Sequence, residues 1–297
     1  MPSQKSASKQ ARIVTSGLAF GESPRWHEGR LWVCNWGTGE IVVIDTQGNS
    51  KVVLTVPATL PYSIDWLPDG RLLVVSGREG LVLRQEADGT LATHADLRPL
   101  SKSPWNEIVV DGRGNIYVNG GGPAPAPGEH FGPGTIVLIT PDGTIRQVAE
   151  NIAFANGMAV TPDNKTLIVA ESHANRLTAF DIAADGGLSN RRVWADLGNG
   201  FPDGIAIDAE GAVWYADVPN RHCVRVREGG KILQTVSADR GCFACMLGGA
   251  NGDTLFIVAA EWRGFEHMIS DARTGQVLSV EAPVSGAGWP SYISGRR

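Results

Sequence analysis

Four side chains that carry carboxylate or amide oxygens occupy the same position in four copies of a sequence repeat. They are Glu22, Asn106, Asn156 and Asp203, each ten to twelve residues before a bulky residue of an apolar strand. Such oxygens are the ligands that hard cations prefer, and Ca²⁺ takes about 6–8 of them in an irregular geometry. The pattern predicts one divalent cation site, with Ca²⁺ as the expected ion and Mg²⁺, Mn²⁺ or Zn²⁺ as alternatives. The two remaining copies hold Ser63 and Cys245 at this position.

Asp203 lies in the stretch FPDGIAIDAEG (201–211), where Pro-Asp-Gly also resembles a tight turn. A separate turn, Ala209-Glu210-Gly211, lies closer to the strand residue Trp214 and takes the place of the turns in the other copies. Asp203 is therefore interpreted as a site residue. The alternative is that the Asn and Asp residues at this position only cap turns where strands begin.

The elements that must position these side chains recur six times along the chain. Each copy is a turn rich in Asp, Gly or Asn followed by an apolar strand, and the bulky strand residues are Trp32, Leu73, Tyr117, Ile168, Trp214 and Phe256. Their intervals of 41, 44, 51, 46 and 42 residues match one four-stranded blade per copy. The sequence therefore predicts an all-β, six-bladed β-propeller in which residues 11–17 close the last blade. Equivalent positions of the blades would form a ring around the central axis.

Composition limits the partners of the protein. The chain has 297 residues, a net charge of −5 and no run of Lys or Arg, so it lacks the electrostatic footprint for nucleic acid or an anionic membrane. Residues 1–10 are polar and are predicted to form a disordered tail, followed by a single domain over residues 11–297. Because the sequence shows neither an apolar leader nor a long apolar span, we expect a cytoplasmic protein that is a monomer or a weak homo-oligomer.

Other motifs with catalytic potential are weak. The sequence contains neither G-x-S-x-G nor H-E-x-x-H. Its one C-x-x-C, from Cys242 to Cys245, is expected to pack as small apolar residues on a strand. The longest interval holds a Gly/Pro insertion, residues 120–134, which either decorates a blade edge or folds over the channel as a lid. Within it, His130 is either a proton shuttle that contacts the substrate or a solvated loop residue.

Five motifs together resemble the SMP-30/gluconolactonase (regucalcin-like) family of six-bladed propeller lactonases. They are GESPRW (21–26), NEIVVDGRG (106–114), ANGMAVTPD (155–163), FPDGIAID (201–208) and CFACMLGG (242–249). The resemblance implies that Glu22, Asn156 and Asp203 bind a divalent metal and that Asn106 reaches the metal or the substrate. It also implies that Asp203 acts as a general base.

The chain departs from that family beside Asn106. Family members that act on sugar lactones often carry an Arg two residues before this Asn and an Asp after it, whereas this chain reads Pro104-Trp105-Asn106-Glu107. Without the fork-shaped donor, and with Trp105 next to the site, the pocket is expected to favour an apolar lactone or ester. The alternative is that Trp105 only packs in the core.

These observations favour a metal-dependent hydrolase that acts on a small lactone or related ester. The metal would polarise the carbonyl, and Asp203 or Glu107 would take a proton from the attacking water. Glu107 could instead point away from the channel, since neighbours on a strand face opposite sides. A non-catalytic propeller that binds Ca²⁺ or a small molecule is the alternative. Metal-free synthase chemistry fits poorly with a carboxylate at Glu22.

Overall fold

A computed structural model describes residues 11–57, 60–120, 122, 132–264, 268 and 272–288. These residues form six four-stranded antiparallel sheets, each one blade of a propeller. The predicted six-bladed β-propeller is confirmed. The polar tail 1–10, His130 and most of the insertion 120–134 lie outside the described residues.

In five blades the strands follow one another in chain order from the propeller axis outward. The chain begins with β1 (Arg12–Leu18). Blade 1 comprises β2 (Gly21–His27), β3 (Arg30–Asn35), β4 (Glu40–Ile44) and β5 (Ser50–Thr55). Blade 2 comprises β6 (Tyr62–Trp66), β7 (Leu72–Ser76), β8 (Leu81–Gln85) and β9 (Leu91–Asp96). Blade 3 comprises β10 (Trp105–Val110), β11 (Ile116–Gly120), β12 (Gly134–Ile139) and β13 (Ile145–Ile152).

The second half repeats this arrangement. Blade 4 comprises β14 (Ala155–Val160), β15 (Thr166–Glu171), β16 (Arg176–Ile182) and β17 (Leu188–Asp196), with a short 3₁₀ helix (Ser172–Ala174) after β15. Blade 5 comprises β18 (Pro202–Ile207), β19 (Val213–Asp217), β20 (His222–Val226) and β21 (Ile232–Ser237). Blade 6 comprises β22 (Gly241–Gly248), β23 (Thr254–Ala260) and β24 (Gly275–Glu281). Its fourth strand is β1, which pairs with β24 and closes the ring as predicted.

Hydrophobic cores lie between neighbouring blades. The second strand of each blade is buried on both faces, so it reads as a continuous apolar run, whereas outer strands such as β5 are mostly exposed. Each of the six bulky repeat residues lies on such a second strand. Trp214, for example, joins a core cluster with Cys245 and Ile257 of blade 6. The six repeat residues therefore occupy the equivalent strand in all six blades.

The six innermost strands contact one another in chain order around the axis. Five of them carry a one-residue β-bulge near their first residues. At each bulge the inner strand has one residue more than the strand with which it pairs. The exception is β6, which pairs regularly with β7. A bulge re-aims the side chains beside it, and these bulges lie where the predicted ring residues are found.

All four cysteines lie in the described part of the chain, buried and without a disulfide. Cys242 and Cys245 pack in the core between blades 5 and 6, as the apolar interpretation of the C-x-x-C predicted. Among the described residues, no helix is long and apolar enough to cross a membrane.

A candidate metal and substrate site

A cavity of about 340 Å³ opens at the end of the channel where the inner strands begin. The four predicted oxygen ligands all line it: Glu22, Asn106, Asn156 and Asp203. Each is the second residue of its strand, in β2, β10, β14 and β18. The repeat register therefore brings together four residues that are far apart in the sequence.

The two other predicted ring positions do not join them. Ser63 is buried at the start of β6, the strand without a bulge, and is not among the cavity-lining residues. Cys245 points into the core between blades 5 and 6, with its thiol near the carbonyl oxygens of Gly204 and Trp214 at 3.6 Å each. In blade 5, Pro202 pairs with Asp217, and the next residue, Asp203, lies at the ring position. In blade 6, Cys242 pairs with Ala259 in the same way, so the next residue, Phe243, takes the ring position. Phe243 lines the cavity in its place.

The carboxyl groups of Glu22 and Asp203 lie in an environment that disfavours negative charge. Burial raises the pKa of Glu22 from 4.5 to about 8, and the charge of Glu107 adds to the shift. Burial likewise raises the pKa of Asp203 well above its ordinary value, together with the charges of Glu22 and Glu107. Asp203 is only half-buried as a residue, but its carboxyl group lies in the cavity beside the other acids. A cation bound beside these two carboxyl groups would favour their ionised forms.

The two amides complete a donor set of the kind that a hard cation takes. The Nδ2 of Asn106 donates to the carbonyl of Ala155 at 3.5 Å, and that of Asn156 donates to Ser172 Oγ at 3.4 Å. Since the nitrogen of each amide donates within the protein, the amide oxygen is the atom that a cation would use. Within the described residues, no three His, Cys, Asp or Glu side chains converge as a metal-binding group. The set is instead two carboxylates and two amides, which fits Ca²⁺ or Mg²⁺ better than a soft metal.

Glu107 bridges two blades across the cavity floor. Ser23 Oγ donates to both of its carboxylate oxygens at 3.0 Å, and Arg25 Nη2 donates to Oε1 at 2.9 Å. The same guanidinium nitrogen donates to the carbonyl of Ile108 at 2.8 Å. The side chain thus lines the cavity, with its charge balanced by Arg25. Glu107 is therefore a weaker candidate for the base than Asp203.

Replacing Arg25 with Met is expected to lower the free energy of unfolding by about 3 kcal/mol or more, because it leaves Glu107 buried without its cation. The pair is 10% exposed on each side. Urea unfolding followed by tryptophan fluorescence measures the change. The double variant R25M/E107M removes both charges and should recover part of the loss. A double variant that is no more stable than R25M would contradict this account.

Trp105 does not border the cavity. Its side chain is 1% exposed and packs with Leu73 and Val118 in the core between blades 2 and 3. The prediction that Trp105 contacts the substrate is corrected, because the first residue of β10 faces the neighbouring blade while the second faces the channel. The other candidate substrate contact, His130, lies outside the described residues.

Several residues at the site have no simple sequence signal. Ser23 and Arg25 contact Glu107 only because the fold brings the inner strands of blades 1 and 3 together. Asn119 is fully buried and links two blades, accepting from the Glu107 amide at 3.2 Å and donating to the Asn156 carbonyl at 2.6 Å. One signal was available for the cavity rim. The residues two positions before Asn106, Asn156 and Asp203 are Pro104, Phe154 and Phe201, and all three line the cavity.

Comparison with known proteins places these residues in a family context. The family described as SMP-30/Gluconolactonase/LRE-like region matches residues 20–261. Regucalcin of Xenopus laevis is 26% identical over 84% of this chain and 85% of its own. A pentonolactonase of Haloferax volcanii is 27% identical over 69% of each chain. The crystal structure of a calcium-binding protein, regucalcin, from Agrobacterium tumefaciens superposes with a TM-score of 0.77 at 21% identity, covering 96% of this chain and 97% of that one.

Proposed function

Because this chain belongs to the SMP-30/gluconolactonase/LRE-like family, we propose that it hydrolyses a lactone or related ester with the help of one divalent cation. The family and its lactonase members support lactone hydrolysis in general. The observation that carries the proposal is the donor set in the cavity, where two carboxyl groups with raised pKa values lie beside two amides.

Glu22, Asn106, Asn156 and Asp203 would hold the cation. When bound, a divalent cation supplies a Lewis acid for the carbonyl and favours the ionised form of the acids beside it. Asp203 is proposed to accept the proton of the attacking water, since its carboxylate shares the cavity with the substrate. The hydrogen bond from Asn156 to Asp203 lowers the pKa of this carboxyl group against the effect of burial and so supports its ionised form.

The neighbouring residues keep these groups in place. Ser172 accepts from Asn156 and donates to the Pro202 carbonyl at 2.6 Å, so that it ties the beginning of β14 to that of β18. Glu107 is held by Ser23 and Arg25 and fixes blade 3 against blade 1. Glu107 therefore acts as a positioning residue, and as a second candidate for the base.

Removing the metal is expected to abolish turnover. Protein treated with EDTA should lose at least 100-fold in the rate of lactone hydrolysis, because the carbonyl then lacks its Lewis acid. Adding Ca²⁺, Mg²⁺, Mn²⁺ or Zn²⁺ in separate reactions should restore activity and rank the ions. A panel of sugar, aliphatic and aryl lactones covers the substrate classes. Undiminished hydrolysis in EDTA would refute the metal dependence.

A non-catalytic calcium-binding propeller is the second candidate, because solved relatives include a protein described as calcium-binding. The same experiment separates the two. Cation binding by calorimetry with no turnover of any lactone in the panel would favour the second candidate.

A further inference from the structure

The cavity has a polar floor and an apolar rim. The four candidate ligands form the floor, with Phe243 at the equivalent position of blade 6, while the rim includes Trp36, Phe154, Phe201 and Trp262. Among the described lining residues, Arg78 is the one Lys or Arg, and its Nε donates to the Leu60 carbonyl at 2.9 Å. The described lining is therefore rich in aromatic ring faces and carries a single cationic side chain.

Aromatic groups face the channel from opposite sides. Trp36 follows β3 of blade 1, and Phe154 precedes β14 of blade 4, which lies opposite blade 1 in a ring of six. The Trp36 Nε1 donates to the Tyr62 carbonyl at 2.6 Å, so its single donor is already used inside the protein. On the blade 1 side, Trp36 and Phe243 both pack against the buried ring of Phe20, with ring centroids 5.9 and 4.6 Å apart.

Phe154 is fixed in an unfavourable backbone conformation. Its φ of 57° lies in the left-handed region, which a bulky residue rarely adopts. The Phe154 carbonyl accepts from the Ser172 amide at 3.2 Å, and the preceding Ala153 amide donates to the buried Glu171 at 2.8 Å. The ring stacks on His173 at 4.5 Å between centroids. Strain of this kind is typical of ligand-binding positions, where the surrounding structure enforces it.

Two rim residues are exposed although they are large and aromatic. Phe201 and Trp262 are each 40% exposed, and among the described residues they are the aromatic members of the exposed large hydrophobic set. Both lie at this cavity. Exposed apolar surface gathered at one opening indicates a binding site for an apolar ligand.

We propose that the substrate is an aryl lactone, with its carbonyl at the four candidate ligands and its flat ring against the aromatic side chains that line the cavity, Phe154, Phe201 and Trp262 among them. This inference rests on the proposed hydrolase function and names its substrate class. A polyhydroxylated sugar lactone would place its hydroxyls against Phe154, Phe201 and Trp262, and each unpaired hydroxyl costs free energy. A flat ring instead gains from stacking and from apolar burial.

The test compares dihydrocoumarin, δ-valerolactone and gluconolactone as substrates of the metal-loaded protein. We expect kcat/KM to be highest for dihydrocoumarin and to exceed that of gluconolactone at least tenfold. Trp262→Leu and Phe154→Leu should lower kcat/KM for dihydrocoumarin at least fivefold, mainly through KM, and change that of δ-valerolactone less than twofold. Ile232→Ala removes a side chain that is 60% exposed on β21, away from the cavity, and serves as the control. Gluconolactone as the best substrate would overturn the inference.

A binding experiment separates this inference from the proposed function. 2-Tetralone has the fused ring of dihydrocoumarin with the carbonyl at the same ring position, but it has no ester bond to hydrolyse. Calorimetry on the metal-loaded protein should show that it binds and that Trp262→Leu weakens it at least fivefold. If it binds while no lactone is hydrolysed, the hydrolase function is refuted and the proposed aryl-binding site is supported. If it does not bind while sugar lactones are hydrolysed, the hydrolase function is supported and the proposed aryl-binding site is refuted.

Discussion

Replacing Asp203 with Asn is expected to lower kcat for lactone hydrolysis by at least 100-fold while measurable cation binding remains. The amide keeps an oxygen that a hard cation can use, but it cannot accept the proton of the attacking water, and general-base catalysis is typically worth about 10²–10⁴-fold. Asp203→Ala removes the oxygen as well, so both activity and cation binding should be lost. Calorimetric titration and initial rates on the two variants measure the two effects.

The same comparison tests whether Asp203 merely forms a turn. Asn replaces Asp readily in turns, so a turn residue would leave activity unchanged in the Asn variant. Asp163 provides the matched control, because its carboxylate accepts from Thr161 Oγ1 and the Lys165 amide in an exposed turn. Asp163→Asn should retain wild-type rates. Near wild-type rates in Asp203→Asn would show that Asp203 is not the base and would leave Glu107 as the next candidate.

The propeller and most of the floor of the site could be predicted because the blade is a short, repeated unit. Each blade must pack against the next blade through an apolar core, so the bulky strand residue recurs at a nearly constant interval. This residue sets a common register for counting along the blades. Counting back from it found Asp203 among residues that resemble ordinary turn formers. The count works because the inner hairpins differ in length by only a few residues.

The same count failed where a local irregularity changed the register. In blade 6 the hairpin between β22 and β23 is longer, which moved the predicted position from Phe243 to Cys245. In blade 2 the inner strand lacks the bulge, and Ser63 does not line the cavity. Trp105 was misplaced because adjacent strand residues face different sides, and the sequence alone does not show which side faces the axis. A bulge is an irregularity of backbone hydrogen bonding, so the side-chain types of the sequence do not predict it well.

The raised pKa of Glu22 predicts how the stability of the metal-free protein depends on pH. The folded state holds this proton more tightly than the unfolded chain, whose pKa is close to 4.5, and releases it at about pH 8. Between these values the folded state therefore binds more protons than the unfolded state, so the free energy of unfolding falls as the pH rises. A bound divalent cation replaces the proton and should flatten this dependence.

Replacing Glu22 with Gln is expected to change cation binding and stability in opposite directions. Gln keeps the size of the side chain and one acceptor oxygen but removes a charged ligand, so Ca²⁺ affinity should fall at least tenfold, about 1.4 kcal/mol. In EDTA at pH 8 the variant should unfold at a higher temperature than the wild type, because no buried charge has to form beside Asp203 and Glu107. At pH 5 the folded wild-type carboxyl is protonated and the unfolded one is only partly ionised, so the two proteins should melt at much closer temperatures than at pH 8. A purely structural Glu22 would give a variant that is less stable at both pH values and has unchanged Ca²⁺ affinity. Thermal unfolding in EDTA at the two pH values, with calcium titration at pH 8, decides between them.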